Sequence, residues 1–382
     1  MTEAQFYKKL PENRVQCLLC NHYCVIANGT RGLCGVRENQ KGTLYSLVYS
    51  KVIAAHVDPI EKKPLFHFQP GSTSFSIATV GCNFRCLHCQ NADISQASKD
   101  LNYVSFLPRI AVWGKLHPVR NIISNGVQRE SSKIIEKVDS RRRGNDRSKE
   151  IPGAKMTPAQ VIAKALANHC QSIAYTYTEP TIFAEFALDC MKLAKEKRIK
   201  NIWVTNGYTS PIALKTIKPY LAAANVDLKF FTEKNYQKIC GAKLQPVLDN
   251  LIWYKKNKIW LEITTLIIPT LNDSKIELKQ IAEFIKKELG KNTPWHVTAF
   301  FPTYKLTKLP ATPNSTIKKA WQIGKAAGLK YVYGGNVIDQ NLENTYCPKC
   351  EELIIERRGY DIKRFDKIGG CPKCGEKLDI IE

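Results

Sequence analysis

The chain has 382 residues, 44% hydrophobic and 24% charged, enough for one large domain plus smaller modules and too apolar for a disordered chain. Apolar runs such as ITTLIIPTL (263–271) fall short of the ~18 residues a membrane span needs, and MTEAQFYKKLPENR carries no apolar signal segment, so a cytoplasmic location without a membrane partner is expected. The formal net charge of +23 permits a nucleic-acid partner but reads first as a basic, solvated surface.

In a reducing compartment the 14 cysteines point to metal rather than disulfides, because they cluster. The first cluster is Cys17-x2-Cys20-x3-Cys24-x9-Cys34, in a Cys-rich module expected over 1–70. Four thiolates there suit zinc or an auxiliary iron–sulfur cluster, with Gly29, Gly32 and Gly35 allowing tight loops and His22 able to replace one ligand.

A strand is predicted at 72–80 (STSFSIATV), followed directly by GCNFRCLHCQN, 81–91. Cys82, Cys86 and Cys89 in one short loop can converge on a metal cluster. A [4Fe–4S] cube has four irons and this loop offers three sulfurs, so one iron stays open, the mark of a catalytic rather than a structural metal. Phe84 and Leu87 would shield it. A zinc site of three cysteines completed by His88 is the alternative.

Residues 103–155 break the pattern, with 12 Lys/Arg against 5 Asp/Glu and the aperiodic stretch DSRRRGNDRSKE. They read as an inserted loop within the first βα connection. Strand patterns then return at 172–177, 201–205, 225–228, 260–268, 296–300 and 330–334. Helix patterns alternate with them at 157–168, 181–198, 210–224 and 274–289, the first opened by Thr157 as cap and Pro158 at the first helical position. Six or seven βα units predict an α/β domain over 71–340, a partial (β/α)6-type open TIM-like barrel whose active site lies at the C-terminal strand ends. Cys170, Cys190 and Cys240 read as small buried hydrophobes. At 341–382, two CPKC knuckles (Cys347, Cys350, Cys371, Cys374) read as a zinc ribbon, with a single rubredoxin-like iron as the alternative.

The C-x3-C-x2-C loop resembles the signature of the radical SAM superfamily, with His88 where an aromatic residue is usual. CxHCQN resembles the branch related to pyruvate formate-lyase activating enzyme. The order CLLCNHYC…GTRGLCGVREN, CNFRCLHCQN, YTYTEPT and CPKC…CPKC resembles the radical SAM enzymes of the AmmeMemoRadiSam system. The resemblance implies that the open iron chelates the amino and carboxylate groups of S-adenosylmethionine (SAM). Reductive cleavage then yields methionine and a 5′-deoxyadenosyl radical that takes a hydrogen atom from the substrate. It also implies an electron donor such as flavodoxin or ferredoxin.

Strand ends acquire roles from the same resemblance. Glu179 would meet the methionine ammonium, or serve simply as a helix-start carboxylate. Asn206 would bond the ribose or the carboxylate. Asp227 would meet a ribose or the ammonium and Lys229 the SAM carboxylate, unless the two form a surface ion pair. His296, at a strand beginning, is expected to stand away from the reaction face. The expected function is hydrogen abstraction from a protein or peptide. Modification of RNA or a small molecule is the second reading, and a non-catalytic metal or nucleic-acid binding protein the third.

Overall fold

The computed structural model describes residues 1–99, 151–367 and 369–382. Its central sheet runs through eight strands: β1 (Ala54–Pro59), β2 (Thr73–Ala78), β3 (Ser172–Tyr175), β4 (Lys200–Thr205), β5 (Ala223–Asp227), β6 (Trp260–Ile267), β7 (Trp295–Ala299) and β8 (Val332–Gly335). They lie side by side in chain order. β2 to β8 are all parallel, and β1 pairs antiparallel with β2, from Ala54 opposite Ala78 to Pro59 opposite Thr73.

Each parallel connection carries a helix: α1 (Pro158–Ala167), α2 (Ala184–Glu196), α3 (Pro211–Ile217), α4 (Gln245–Lys256), α5 (Lys275–Phe284) and α6 (Asn314–Ala326). Buried parallel strands need helices on their faces, and β2–β8 are accordingly buried along almost their whole length. Thr157 caps α1 as the sequence implied. Its hydroxyl accepts from the Gln160 N–H at 3.3 Å, and the Gln160 side chain accepts from the Thr157 N–H at 2.8 Å, a capping box. The helix expected from 181 starts as a 3-10 turn, Pro180–Phe183, before α2. The core between sheet and helices includes the fully buried Trp203 and Trp295.

One expectation needs correction. The inserted loop was drawn through 155, but Ile151 is buried and Ala154–Lys155 forms a strand antiparallel to Lys51–Val52. Residues 151–155 are therefore not part of a loose loop, and the rest of the expected insertion, 103–150, lies outside the described residues. Ile151 and Met156 are apolar residues that a polar neighbourhood hid.

The N-terminal segment makes two small antiparallel sheets. One joins Tyr7–Lys9, Val15–Cys17 and Val25–Ile26, and the other Thr2–Glu3, Thr43–Ser46 and Arg37–Gln40. A buried ion pair ties the second to α2: Arg37 donates to both oxygens of Glu185 at 2.9 and 3.0 Å. The C-terminal segment forms a third antiparallel sheet, Thr345–Tyr346, Leu353–Arg358 and Asp361–Arg364. It packs near the start of β6. Arg357 donates to the Phe66 carbonyl at 2.8 Å and lies 4.2 Å from the Phe66 ring centre. His67 bonds the Asp379 carbonyl through Nδ1 and the Tyr333 hydroxyl through Nε2. His296 pairs with Glu262 at 2.7 Å in this cluster, at the strand beginnings, as its position implied. Among the described residues, no helix is long and apolar enough to cross a membrane.

Candidate active site

The cysteine loop leaves β2 at its C-terminal end, and three adjacent strands place their own ends beside it. Glu179 follows β3, Asn206 follows β4, and Asp227 closes β5 with Lys229 two residues on. Parallel pairing in chain order is what gathers residues so distant in sequence.

The loop is fixed by main-chain bonds. Arg85 N–H donates to the Cys240 carbonyl at 2.8 Å and Leu87 N–H to the Ile239 carbonyl at 3.0 Å. Both acceptors belong to a one-turn π-helical segment, Tyr236–Cys240, a distortion often found at functional sites. Lys99 and Gln96 donate to the Phe84 carbonyl at 2.7 and 3.3 Å. The Phe84 N–H points at Cys82 Sγ, 3.3 Å away, the polarity that suits a thiolate.

Cys82, Cys86 and Cys89 pair with no other cysteine as disulfides. Burial pushes the Cys82 thiol up and that of Cys89 to about 11. Cys86 is pushed well up by the neighbouring Cys240 thiol and by burial. Such thiols are poor nucleophiles, and a metal is what would deprotonate them. The walls are apolar: Phe84 is 1% exposed and packs edge-on to Tyr208 and Tyr236. His88 is buried with neither ring nitrogen bonded, its ring edge-on to Phe230, and burial holds it neutral with a pKa of about 3. Asn83 is also buried and leaves its Nδ2 without a partner. Three thiols, an apolar shell and the unpartnered ring nitrogens of the buried His88 fit an iron–sulfur cluster and a polar ligand on it.

Asn206 reaches the loop directly. Its Nδ2 donates to Asn83 Oδ1 at 2.7 Å and lies 3.9 Å from Cys82 Sγ. Glu179 is fully buried and accepts four bonds. Oε1 takes Thr181 N–H at 3.0 Å, Thr181 Oγ1 at 2.5 Å and Thr205 Oγ1 at 2.8 Å, and Oε2 takes Asn206 N–H at 2.8 Å. Burial raises its pKa while these donors lower it. It is thus a helix-start carboxylate, as the plainer reading had it, and it also holds the main chain at Asn206. Asp227 and Lys229 form an ion pair at 2.7 Å. Burial opposes the Lys229 charge, but Asp227 and the nearby thiols outweigh it and raise its pKa well above the usual lysine range.

Several residues of this neighbourhood were not singled out in the sequence. Asn83 bonds Asn206 by side chain and His22 Nε2 by carbonyl, the latter at 2.9 Å. Asn91 donates to the Tyr177 carbonyl at 2.6 Å. Cys240, read as a small hydrophobe, is buried but stands against Cys86. The asparagines carried one signal, their place inside GCNFRCLHCQN.

The C-terminal cysteines behave differently. Cys347, Cys350, Cys371 and Cys374 all come within 4.8 Å of one another, with Sγ separations of 3.6 Å for Cys347–Cys374 and for Cys350–Cys371. A tetrahedral ion with metal–sulfur bonds of about 2.3 Å sets sulfurs about 3.8 Å apart, so these four thiols match a single ion. The two turns are alike: Cys347 N–H donates to Glu352 O at 2.8 Å, and Cys371 N–H to Glu376 O at 2.9 Å.

The chain is similar to several known proteins. The family description "Radical SAM superfamily" matches residues 76–285, more than half of the chain. Uncharacterized protein MJ0808 of Methanocaldococcus jannaschii is 40% identical over 384 residues, covering 100% of both chains. Uncharacterized protein MJ0674 of the same organism is 24% identical over 327 residues, 83% of this chain and 76% of that one. Among solved structures, a domain of pyruvate-formate lyase-activating enzyme from Bacteroides vulgatus superposes with a TM-score of 0.38 at 19% identity, covering 43% of this chain and 99% of that one. With its cysteine loop at the head of the matched segment, the chain belongs to the radical SAM superfamily.

Proposed function

We propose that this chain cleaves SAM reductively and directs the resulting radical to hydrogen abstraction from a protein or peptide. The observation that carries the reading is the set of three thiols at the end of β2, Cys86 buried and Cys82 and Cys89 half-buried, faced by Asn206 and by the Asp227–Lys229 pair from neighbouring strand ends. Cys82, Cys86 and Cys89 would hold the cluster. When bound, a [4Fe–4S] cluster supplies the electron that breaks the sulfonium C–S bond. Lys229 would pair with the SAM carboxylate, a charge-assisted contact. Asp227 would bond a ribose or ammonium group and Asn206 the ribose or the carboxylate, and Glu179 supplies a buried negative charge facing the ammonium while it fixes Asn206. Phe84 and His88 exclude water from the reacting centre.

Superfamily members need an electron donor, and we assign that part to a flavodoxin or ferredoxin. We read the sheet as the partial barrel of the fold and the C-terminal thiols as a zinc ribbon that the chain needs for local folding. The resemblance of CxHCQN to glycyl-radical activating enzymes supports a protein or peptide substrate. The net charge of +23 supports RNA as the second reading. Anaerobic reaction with deuterated candidate substrates tests the proposal, because abstraction places deuterium in 5′-deoxyadenosine. Deuterium arriving only from RNA, with salt-sensitive RNA retention, would replace the peptide by the second reading.

A further inference from the structure

A second group of cysteines lies outside this site. Cys17, Cys20, Cys24 and Cys34 line one shared pocket, with Leu19, Ile26 and Ile182 as apolar walls. Spacing separates this group from the C-terminal one. Among the described residues, the C-terminal four are the one set of three or more His, Cys, Asp or Glu ligands that closes to within 4.8 Å. The N-terminal four do not close so far, and neither do Cys82, Cys86 and Cys89. Neither of these groups has the close spacing with which the C-terminal thiols match one ion.

Two buried N–H donors strengthen the case. Arg37 is 1% exposed and Asn83 is 2% exposed; both line the cavity, and Arg37 Nε and Asn83 Nδ2 have no partner. Unpaired buried donors call for an acceptor, and the sulfides of an anionic cluster accept such bonds. Gly32 keeps the cavity open. A Cβ there would lie 3.1 Å from Ile26 Cδ1 and 3.9 Å from Cys24 Sγ, so a larger side chain would intrude on the space beside that sulfur.

The cavity also touches the cluster loop. His22 Nε2 bonds the Asn83 carbonyl at 2.9 Å. A Cβ on Gly81, at the loop's entry, would come within 3.1 Å of the Cys34 carbonyl, so the two cysteine segments pack backbone to backbone. The turn holding Cys20 is fastened to the end of β4: Asn21 N–H donates to Tyr208 O at 3.0 Å and Ser210 N–H to Leu19 O at 3.1 Å.

We propose that Cys17, Cys20, Cys24 and Cys34 hold a second [4Fe–4S] cluster, with all four irons ligated by protein, beside the SAM-cleaving site. The inference rests on the proposed function only in taking Cys82, Cys86 and Cys89 as the reference cluster. The test is anaerobic reconstitution with iron and sulfide, followed by iron and zinc analysis and EPR of the reduced protein. The parent should hold about eight cluster irons per chain. A triple variant, Cys82→Ala with Cys86→Ala and Cys89→Ala, should keep about four, with an EPR signal that SAM does not alter. Cys20→Ser with Cys24→Ser should keep about four whose signal SAM does alter. Zinc in place of iron in the triple variant, or a folded triple variant without iron, overturns the proposal. Should the triple variant fail to fold, the parent decides: half of its cluster iron insensitive to SAM supports the second cluster, and all of it sensitive overturns it. Loss of SAM cleavage with the insensitive cluster present would sink the proposed function while leaving this inference standing.

Discussion

Replacing Glu179 by Gln keeps the shape of the side chain and removes its charge. The carboxylate accepts three donors on Oε1 and the Asn206 N–H on Oε2, which leaves Oε2 able to take one further donor. The amide of Gln can keep its oxygen toward the three donors, but its NH2 then faces the Asn206 N–H. One bond to a charged group is lost, worth about 1.5–3 kcal/mol, and relief of the carboxylate's burial cost places the expected loss near the lower end, about 2 kcal/mol. The urea midpoint of the apo protein should fall accordingly. Asn206, released from Oε2, would no longer be held toward Asn83, and the negative charge facing the ammonium would be gone. SAM affinity, followed by the cluster's EPR signal, should therefore weaken by roughly 10- to 150-fold, with iron content unchanged. An unchanged urea midpoint would refute the four-bond carboxylate. A lowered midpoint with an unchanged SAM dissociation constant would confine Glu179 to the frame.

Glu185→Gln should cost about 3–5 kcal/mol in urea unfolding, because it strands the buried Arg37 guanidinium, while an Arg37→Met, Glu185→Leu double variant should recover most of that loss; a double variant as unstable as the single one contradicts this. Ile151→Ala should lower stability by about 2–4 kcal/mol if the chain re-enters the core by 151, and a neutral result would move the boundary of the insertion back toward 155. Burial lowers the His67 pKa to about 4, against about 6.5 in the unfolded chain, with Glu262, Arg357 and His296 as its ionisable neighbours. The unfolded state then binds more protons between those values, so stability is complete above pH 6.5 and falls as pH drops toward 4, by up to about 3 kcal/mol. His67→Asn should flatten this acid limb in pH-dependent unfolding, and an unchanged limb would assign it elsewhere.

The seven parallel strands were legible because strands buried on both faces are written as short continuous apolar runs, such as NIWVT and WLEITTLII. β1 was not, since AAHVDP neither alternates nor runs apolar, and its place is fixed only by pairing with β2. The N-terminal strands are two to four residues long with segments as polar as RENQ, too short for any period to show. α4 was missed although its buried Val247, Asn250, Leu251 and Tyr254 stand at i, i+3, i+4 and i+7, because one of the four is a polar asparagine and the half-buried Leu248, Ile252 and Trp253 blur the stripe. At the site, strand ends named Glu179, Asn206, Asp227 and Lys229 as neighbours, because topology alone brings them together. The contacts of Asn83 with His22 and Asn206, and of Cys240 with Cys86, join residues from 61 to 154 positions apart, and local patterns do not encode such pairs. The pocket shared by the N-terminal thiols, likewise, exists only once the loops are folded.

The central claim is that Cys82, Cys86 and Cys89 hold the centre at which SAM is cleaved. Its direct measurement is 5′-deoxyadenosine formation from SAM and dithionite by the anaerobically reconstituted chain, beside a Cys86→Ala variant. The parent should form 5′-deoxyadenosine and methionine together, and the variant neither. A parent fully loaded with iron that leaves SAM intact, or a Cys86→Ala variant that cleaves it at the parent rate, would contradict the account.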